Sequence, residues 1–92
     1  MTTSPELGKL REQIEAVDHQ LIQLIAERVA LARQVGVAKR ATGMATLDHV
    51  REAAVVRRAV TIARDAGLTC DDEIRQIFWQ LIGLSRRAQT ED

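Results

Sequence analysis

The sequence predicts an all-α fold: three helices per chain, the first very long and paired with a second copy. Three observations carry this. Between residues 5 and 41, apolar residues fall at Leu7, Leu10, Ile14, Val17, Leu21, Leu24, Leu31, Val35 and Ala38. The steps alternate three and four, which makes a heptad seam on one helix face. No segment alternates with period two, so no strand is expected. Finally, a helix of ~37 residues runs roughly 55 Å, whereas a compact domain of this size has a radius of gyration of about 12 Å. Such a helix cannot hide its seam within one monomer. It needs a second chain.

The first helix has a clear start, with Ser4 as cap, Pro5 suited to the first helical position and Glu6 in the positive first turn. It is expected to stop near Thr42-Gly43, since glycine commonly follows a helix end. Gly43 to Thr46 reads as a short loop. The second helix is expected from about Asp48 to Ala66, with Val50, Ala53, Ala54, Val60 and Ala63 as its apolar face and Gly67 ending it. Thr69 followed by Asp72 matches the capping-box spacing for the third helix, with an acid in place of Glu. That helix carries Ile74, Ile77, Phe78, Leu81 and Ile82 at steps of three and four, and Ser85 and Ala88 continue the same face with Gln89 beside them. Residues 1–92 form one domain, small for a self-sufficient core.

Charge is balanced at 13 basic and 13 acidic residues. No net field draws nucleic acid or an anionic membrane. Arginine dominates the basic set, which fits carboxylate or phosphate recognition and equally fits codon bias. The single Cys70 excludes an intrachain disulfide and a multi-cysteine metal site. His19 and His49 read as surface residues and make no metal site; Trp79 reads as a partly buried packing residue. The stretch MTTSPELGKL lacks an apolar core of signal-peptide length, and no apolar run approaches a membrane span. A soluble cytoplasmic protein is expected.

Polar residues where apolar ones belong are the candidates for function. Arg28 interrupts the seam between Leu24 and Leu31. At a helix–helix contact it either costs stability or holds an anion. Lys39 lies about three turns on and points the same way. Arg11 is roughly 25 Å from Arg28 along the axis. Within one chain it cannot share Arg28's ligand; in an antiparallel pair, the partner's copy can. Asp48 and Glu52 share a face of the second helix with Arg51 between them, and Ser85 and Gln89 share a face of the third. Together these residues can line one cationic cavity.

Plainer readings stand beside these. Arg11 beside Glu12 and Glu15 fits a solvated face. Lys39 fits a cation at a helix C-terminus, and Asp48 an N-cap. Arg51 and Glu52 fit surface ion pairs of little worth. Ser85 fits back-bonding to its own helix, and Gln89 a frayed end. Arg28 has the weakest plain reading. Spacing alone supports a dimeric helical protein with a buried cationic pocket for a small anion.

The pattern resembles the all-helical (type II) chorismate mutase family. The residues that carry it are Leu10-Arg11-Glu12, Asp18, Ala26-Glu27-Arg28, Val35-Gly36 with Ala38-Lys39, Asp48, Arg51-Glu52, and the pair Ser85 and Gln89. They run in order from about residue 6 to 89. The resemblance implies an intertwined homodimer whose long helices span both halves, with each active site drawing on both chains. It implies conversion of chorismate to prephenate in aromatic amino acid biosynthesis, with no cofactor or metal. It implies that Arg28, and Arg11 from the partner chain, bind the two substrate carboxylates. Lys39 and Gln89 are implied as donors to the ether oxygen, and Glu52 as acceptor from the ring hydroxyl near Asp48. Ser85 and Arg51 are implied as secondary contacts.

Isochorismate pyruvate-lyases and 4-amino-4-deoxychorismate mutases share the resemblance. Glu52 and the compact loop favour the mutase over the lyase, whereas a ring amine suits Glu52 and Asp48 as well as a hydroxyl does. A non-catalytic helical dimer fits the seam but not the buried Arg28. A partner enzyme of the pathway, able to activate so small a chain, stays open.

Overall fold

The structure, a computed structural model, describes residues 4–91; of the N-terminal stretch read for a leader, residues 1–3 fall outside it. Three helices follow one another: α1 (Pro5–Ala41), α2 (His49–Asp65) and α3 (Asp71–Gln89). No strand occurs among the described residues.

α1 starts as its sequence dictates. Ser4 is the N-cap, its Oγ accepting from the Leu7 amide at 3.1 Å, and Pro5 follows. Its 37 residues end at Thr42. Gly43 (φ +73°) and Gly67 (φ +89°) turn the chain after α1 and α2, in a backbone region that side chains disfavour. Asp48 caps α2, accepting from the Arg51 amide at 3.0 Å. The capping box expected from Thr69 and Asp72 does not form. Cys70 occupies the cap position and makes no side-chain cap bond. The turn after α2 runs on through Leu68, whose amide bonds the Ala63 carbonyl at 2.9 Å, so α3 begins one residue later than that spacing requires. Asp71 instead pairs with Arg64 at the end of α2.

α3 is the strut of the fold. It packs against both α1 and α2, whose own Cα traces nowhere come within 8 Å of each other. The core is thin: Val55, Val56 and Ile82, with Phe78 against them. Ala59, Val60 and Ala63 extend the buried face of α2. The sequence reading put Val50 on that face, but Val50 is 81% exposed. At about 100° per residue Val50 lies opposite Ala59, so of the expected face Val60 and Ala63 are buried, Ala53 and Ala54 half-buried, and Val50 alone points away. Ile77, expected on the inner face of α3, is also exposed, and Trp79 keeps 43% of its surface in solvent.

α1 buries only Ala32 and Gly36. The apolar seam from Leu7 to Val35 is 41–60% exposed throughout. The molecule measures 61 × 29 × 19 Å, with a radius of gyration of 17.3 Å against about 12 Å for a compact chain of this length. An apolar stripe this long in water calls for a partner surface. Sedimentation equilibrium is expected to give twice the 10.2 kDa chain mass. Ile14→Asp with Leu21→Asp is expected to dissociate and largely unfold the chain; a folded, monodisperse monomer from either protein would sink the pairing.

Candidate active site

The three helices converge on an open cleft of about 490 Å³, a size typical of small-molecule sites. α1 contributes Arg28, Ala32, Val35 and Lys39; α2 contributes Arg51, Glu52, Val55 and Arg58, with Asp48 at its cap; α3 contributes Ile82, Ser85 and Gln89. Seven of the eight residues singled out from the sequence thus meet in one place. The eighth, Arg11, is exposed near the far end of α1 and does not line the cleft of its own chain.

Arg28 is half-buried and held from α3. Its Nη1 donates to the Leu81 carbonyl at 3.3 Å and to Ser85 Oγ. Ser85 in turn donates to the Leu81 carbonyl at 3.1 Å. The back-bonding and the site role of Ser85 are thus one arrangement: the serine that bonds its own helix also fixes the guanidinium. Burial first, then repulsion from Arg51 and Arg58, lowers the Arg28 pKa from its ordinary value, although an arginine stays charged in a protein. Three guanidinium groups at one cleft are mutually unfavourable without an anion between them. Arg58 belongs to this group and was missed in the sequence, where it reads as one of two adjacent arginines on a charged helix.

Lys39 lies in the last turn of α1, but its side chain does more than face the helix end. Its Nζ donates to the Thr46 carbonyl at 2.8 Å and to Gln89 Oε1 at 2.9 Å. Because the amide oxygen of Gln89 accepts from Lys39, its NH₂ group is left to donate elsewhere. Gln89 is not frayed. Arg40 Nη1 donates to its carbonyl at 2.6 Å, and Arg33 Nε reaches Glu91 Oε2 at 2.6 Å. Gly36 lets α3 lie directly on α1 here: a Cβ at that position meets the Gln89 carbonyl oxygen at 2.2 Å. The end of α3 is therefore fixed to α1 where the lysine and the amide meet.

Glu52 does not make a weak surface pair. Arg86 on α3 grips it with both arms of its guanidinium, Nε donating to Oε2 at 2.8 Å and Nη2 to Oε1. The carboxylate keeps only 12% of its side-chain surface exposed. The hydrogen bond from Arg86 is the main cause that lowers the Glu52 pKa, opposed by burial. The stability this contributes is complete above the ordinary value of 4.5 and fades as pH falls through the lower folded value. The melting temperature of Glu52→Gln is therefore expected below wild type at pH 6, with the gap closing as pH drops below about 4.5. A gap that widens in acid would contradict the pairing. Arg86 was missed as well: in the sequence it is one of several arginines on α3, and only the packing of α3 on α2 gives it a role.

A family model described as chorismate mutase type II matches residues 10–90, the span holding seven of the eight candidate residues at this cleft and Arg11 besides. The chain belongs to the chorismate mutase type II family. The intracellular chorismate mutase of Mycobacterium tuberculosis is 33% identical over 61 residues, covering 66% of this chain and 58% of the relative. The bifunctional chorismate mutase/prephenate dehydratase of Escherichia coli is 39% identical over 64 residues, 70% of this chain but 17% of that one. This type II family member thus spans little more than half of the mycobacterial relative and a small part of the bifunctional one. A solved structure, a conserved hypothetical protein from Pyrococcus furiosus, superposes with a TM-score of 0.76 at 30% identity, covering 95% of this chain and 99% of that one. No helix among the described residues is long and apolar enough to cross a membrane.

Proposed function

We propose that this chain converts chorismate to prephenate as an intertwined homodimer, each site completed by the partner subunit's Arg11. The observation that carries the reading is the meeting of Lys39 and Gln89 at 2.9 Å, at one end of a cleft whose remaining charges are mostly guanidinium. In this rearrangement an ether C–O bond breaks and a C–C bond forms within one molecule, with no group transferred. Negative charge grows on the ether oxygen. Catalysis therefore needs a held geometry and donors aimed at that oxygen.

Lys39 donates to the ether oxygen and also reaches a carboxylate. The amide NH₂ of Gln89 donates to the same oxygen, and being neutral it does so without an acidic pH. Arg28, braced by Ser85, binds one substrate carboxylate; Arg11 of the partner subunit binds the other. Arg51 and Arg58 add positive field near the acid groups. Glu52 accepts from the ring hydroxyl, beside the Asp48 cap. Residues 1–92 act as one catalytic domain. The exposed seam supports the dimer, as does a shallow groove over Ala59, Ala63 and Phe78 that adjoins the cleft at Arg28. The name of the bifunctional relative supports a place in aromatic amino acid biosynthesis, that of the mycobacterial one a working place inside the cell.

The test is product analysis after separate incubation with chorismate, isochorismate and 4-amino-4-deoxychorismate. Prephenate from chorismate is the expected result. Pyruvate and salicylate from isochorismate as the faster reaction moves the site to lyase chemistry. No turnover by a folded dimer leaves a non-catalytic or partner-dependent role.

A further inference from the structure

The cleft contains one carboxylate that is already neutralised from outside. Glu52 lines the cleft, while Arg86, which grips it, is not among the lining residues. The lining carries four cationic side chains, Arg28, Lys39, Arg51 and Arg58, against two carboxylates, Asp48 and Glu52. Asp48 spends one oxygen on the amide of Arg51, and Arg86 cancels the charge of Glu52. Any further positive charge brought in beside Glu52 therefore meets a cationic field with little left to oppose it. A neutral hydroxyl does not. It needs only a lone pair, and a carboxylate held bidentate by one guanidinium still has lone pairs to offer.

Resting on the functional reading above, we propose that Arg86 is the specificity-determining residue of the site: by neutralising and orienting Glu52 it admits a ring hydroxyl and rejects a ring ammonium. It acts through Glu52 and is a positioning residue. The choice between the hydroxyl substrate and its 4-amino analogue, equal for Glu52 and Asp48 alone, is made by the arginine behind the glutamate. The groups facing Glu52 are Arg86 from α3, His49 from its own helix with Nδ1 at 3.8 Å, and Lys39 from α1. His49 is largely exposed, whereas Arg86 holds the carboxylate with both arms of its guanidinium.

The experiment measures kcat/KM for chorismate and for 4-amino-4-deoxychorismate with wild type, Arg86→Met and Arg86→Lys, at pH 7.5. Wild type is expected to favour the hydroxyl substrate by about tenfold or more, somewhat above what one charge contact gives in bulk water and well below its value near a protein surface. Arg86→Met is expected to shift the ratio toward the amine by about tenfold. Its acid limb on chorismate should move to higher pH as Glu52 loses its partner. Arg86→Lys keeps the charge and is expected to keep most of the discrimination. A purely structural arginine would lower both rates together and leave the ratio unchanged, which overturns the proposal. If Arg86→Met fails to fold, Arg86→Gln and Arg86→Lys carry the same comparison. A wild type that prefers the amine also overturns the proposal while leaving the mutase chemistry standing. Turnover of neither substrate by wild type overturns the functional reading itself, and the specificity assignment with it.

Discussion

Lys39→Ala is expected to lower kcat for chorismate by about 10²–10³-fold or more, the usual loss when a donor aimed at developing charge is removed. The reason is local. Lys39 is the one ammonium in a cleft whose other cations are guanidinium groups, and its Nζ already sits 2.9 Å from Gln89 Oε1. Removing it takes away a donor and also releases the amide, which loses the contact that sets which of its two ends faces the substrate. KM is expected to rise less than kcat falls, because the ether oxygen carries little charge before the transition state. Fold and dimer are expected to survive, since the lysine is not in the core. Initial rates by prephenate formation, with circular dichroism to check helicity, decide the matter. Activity within about threefold of wild type would remove Lys39 from the mechanism.

Gly36→Ala is expected to be nearly as damaging, although Gly36 touches no substrate. An added Cβ lies 2.2 Å from the Gln89 carbonyl oxygen and 2.7 Å from its Cα. Both are backbone atoms, so no side chain can swing aside. The end of α3 must lift from α1, against the bond from Arg40 to the same carbonyl. Overpacking of this kind costs about 1–3 kcal/mol. Misplacing a reacting group by about 1 Å can cost 10²-fold in rate. Gln89 then no longer meets Lys39. The expected outcome is a melting temperature several degrees lower and a kcat down by roughly 10²-fold. A melting temperature and kcat both close to wild type would mean that the helices separate without disturbing the amide.

Much of this was legible in the sequence because it is local or periodic. The cap at Ser4, the stop at Gly43 and the interruption of the seam by Arg28 each need only a few neighbours along the chain. That Lys39, Glu52, Ser85 and Gln89 can share one cavity followed from the helix faces they lie on, and the structure brings them to one cleft. What was not legible depends on how helices lie against each other. α2 is amphipathic, but Val50 and Ala54 lie among the charges of its outer side, Arg57, Arg58 and Asp65, so collecting apolar residues without weighing those charges mixed the face centred on Ala59 with the side holding Val50. Arg58 and Arg86 look like their neighbours Arg57 and Arg87. Only the crossing of α2 and α3 turns Arg58 to the cleft and sets Arg86 on Glu52. The capping box failed for a similar reason, since the turn at Leu68 decided where α3 begins.

That the backbones of α1 and α2 nowhere come within 8 Å of each other has a consequence for folding. With α3 as the bridge between them and a core of a few aliphatic side chains, little within one chain holds it in shape, and most of the apolar seam of α1 stays exposed. In the proposed homodimer, association and folding become a single bimolecular event. The denaturation midpoint must rise with the logarithm of protein concentration, and refolding must follow second-order kinetics. For a protein built in this way, dilution acts as a denaturant, and the amount of chain the cell maintains sets the fraction that is folded.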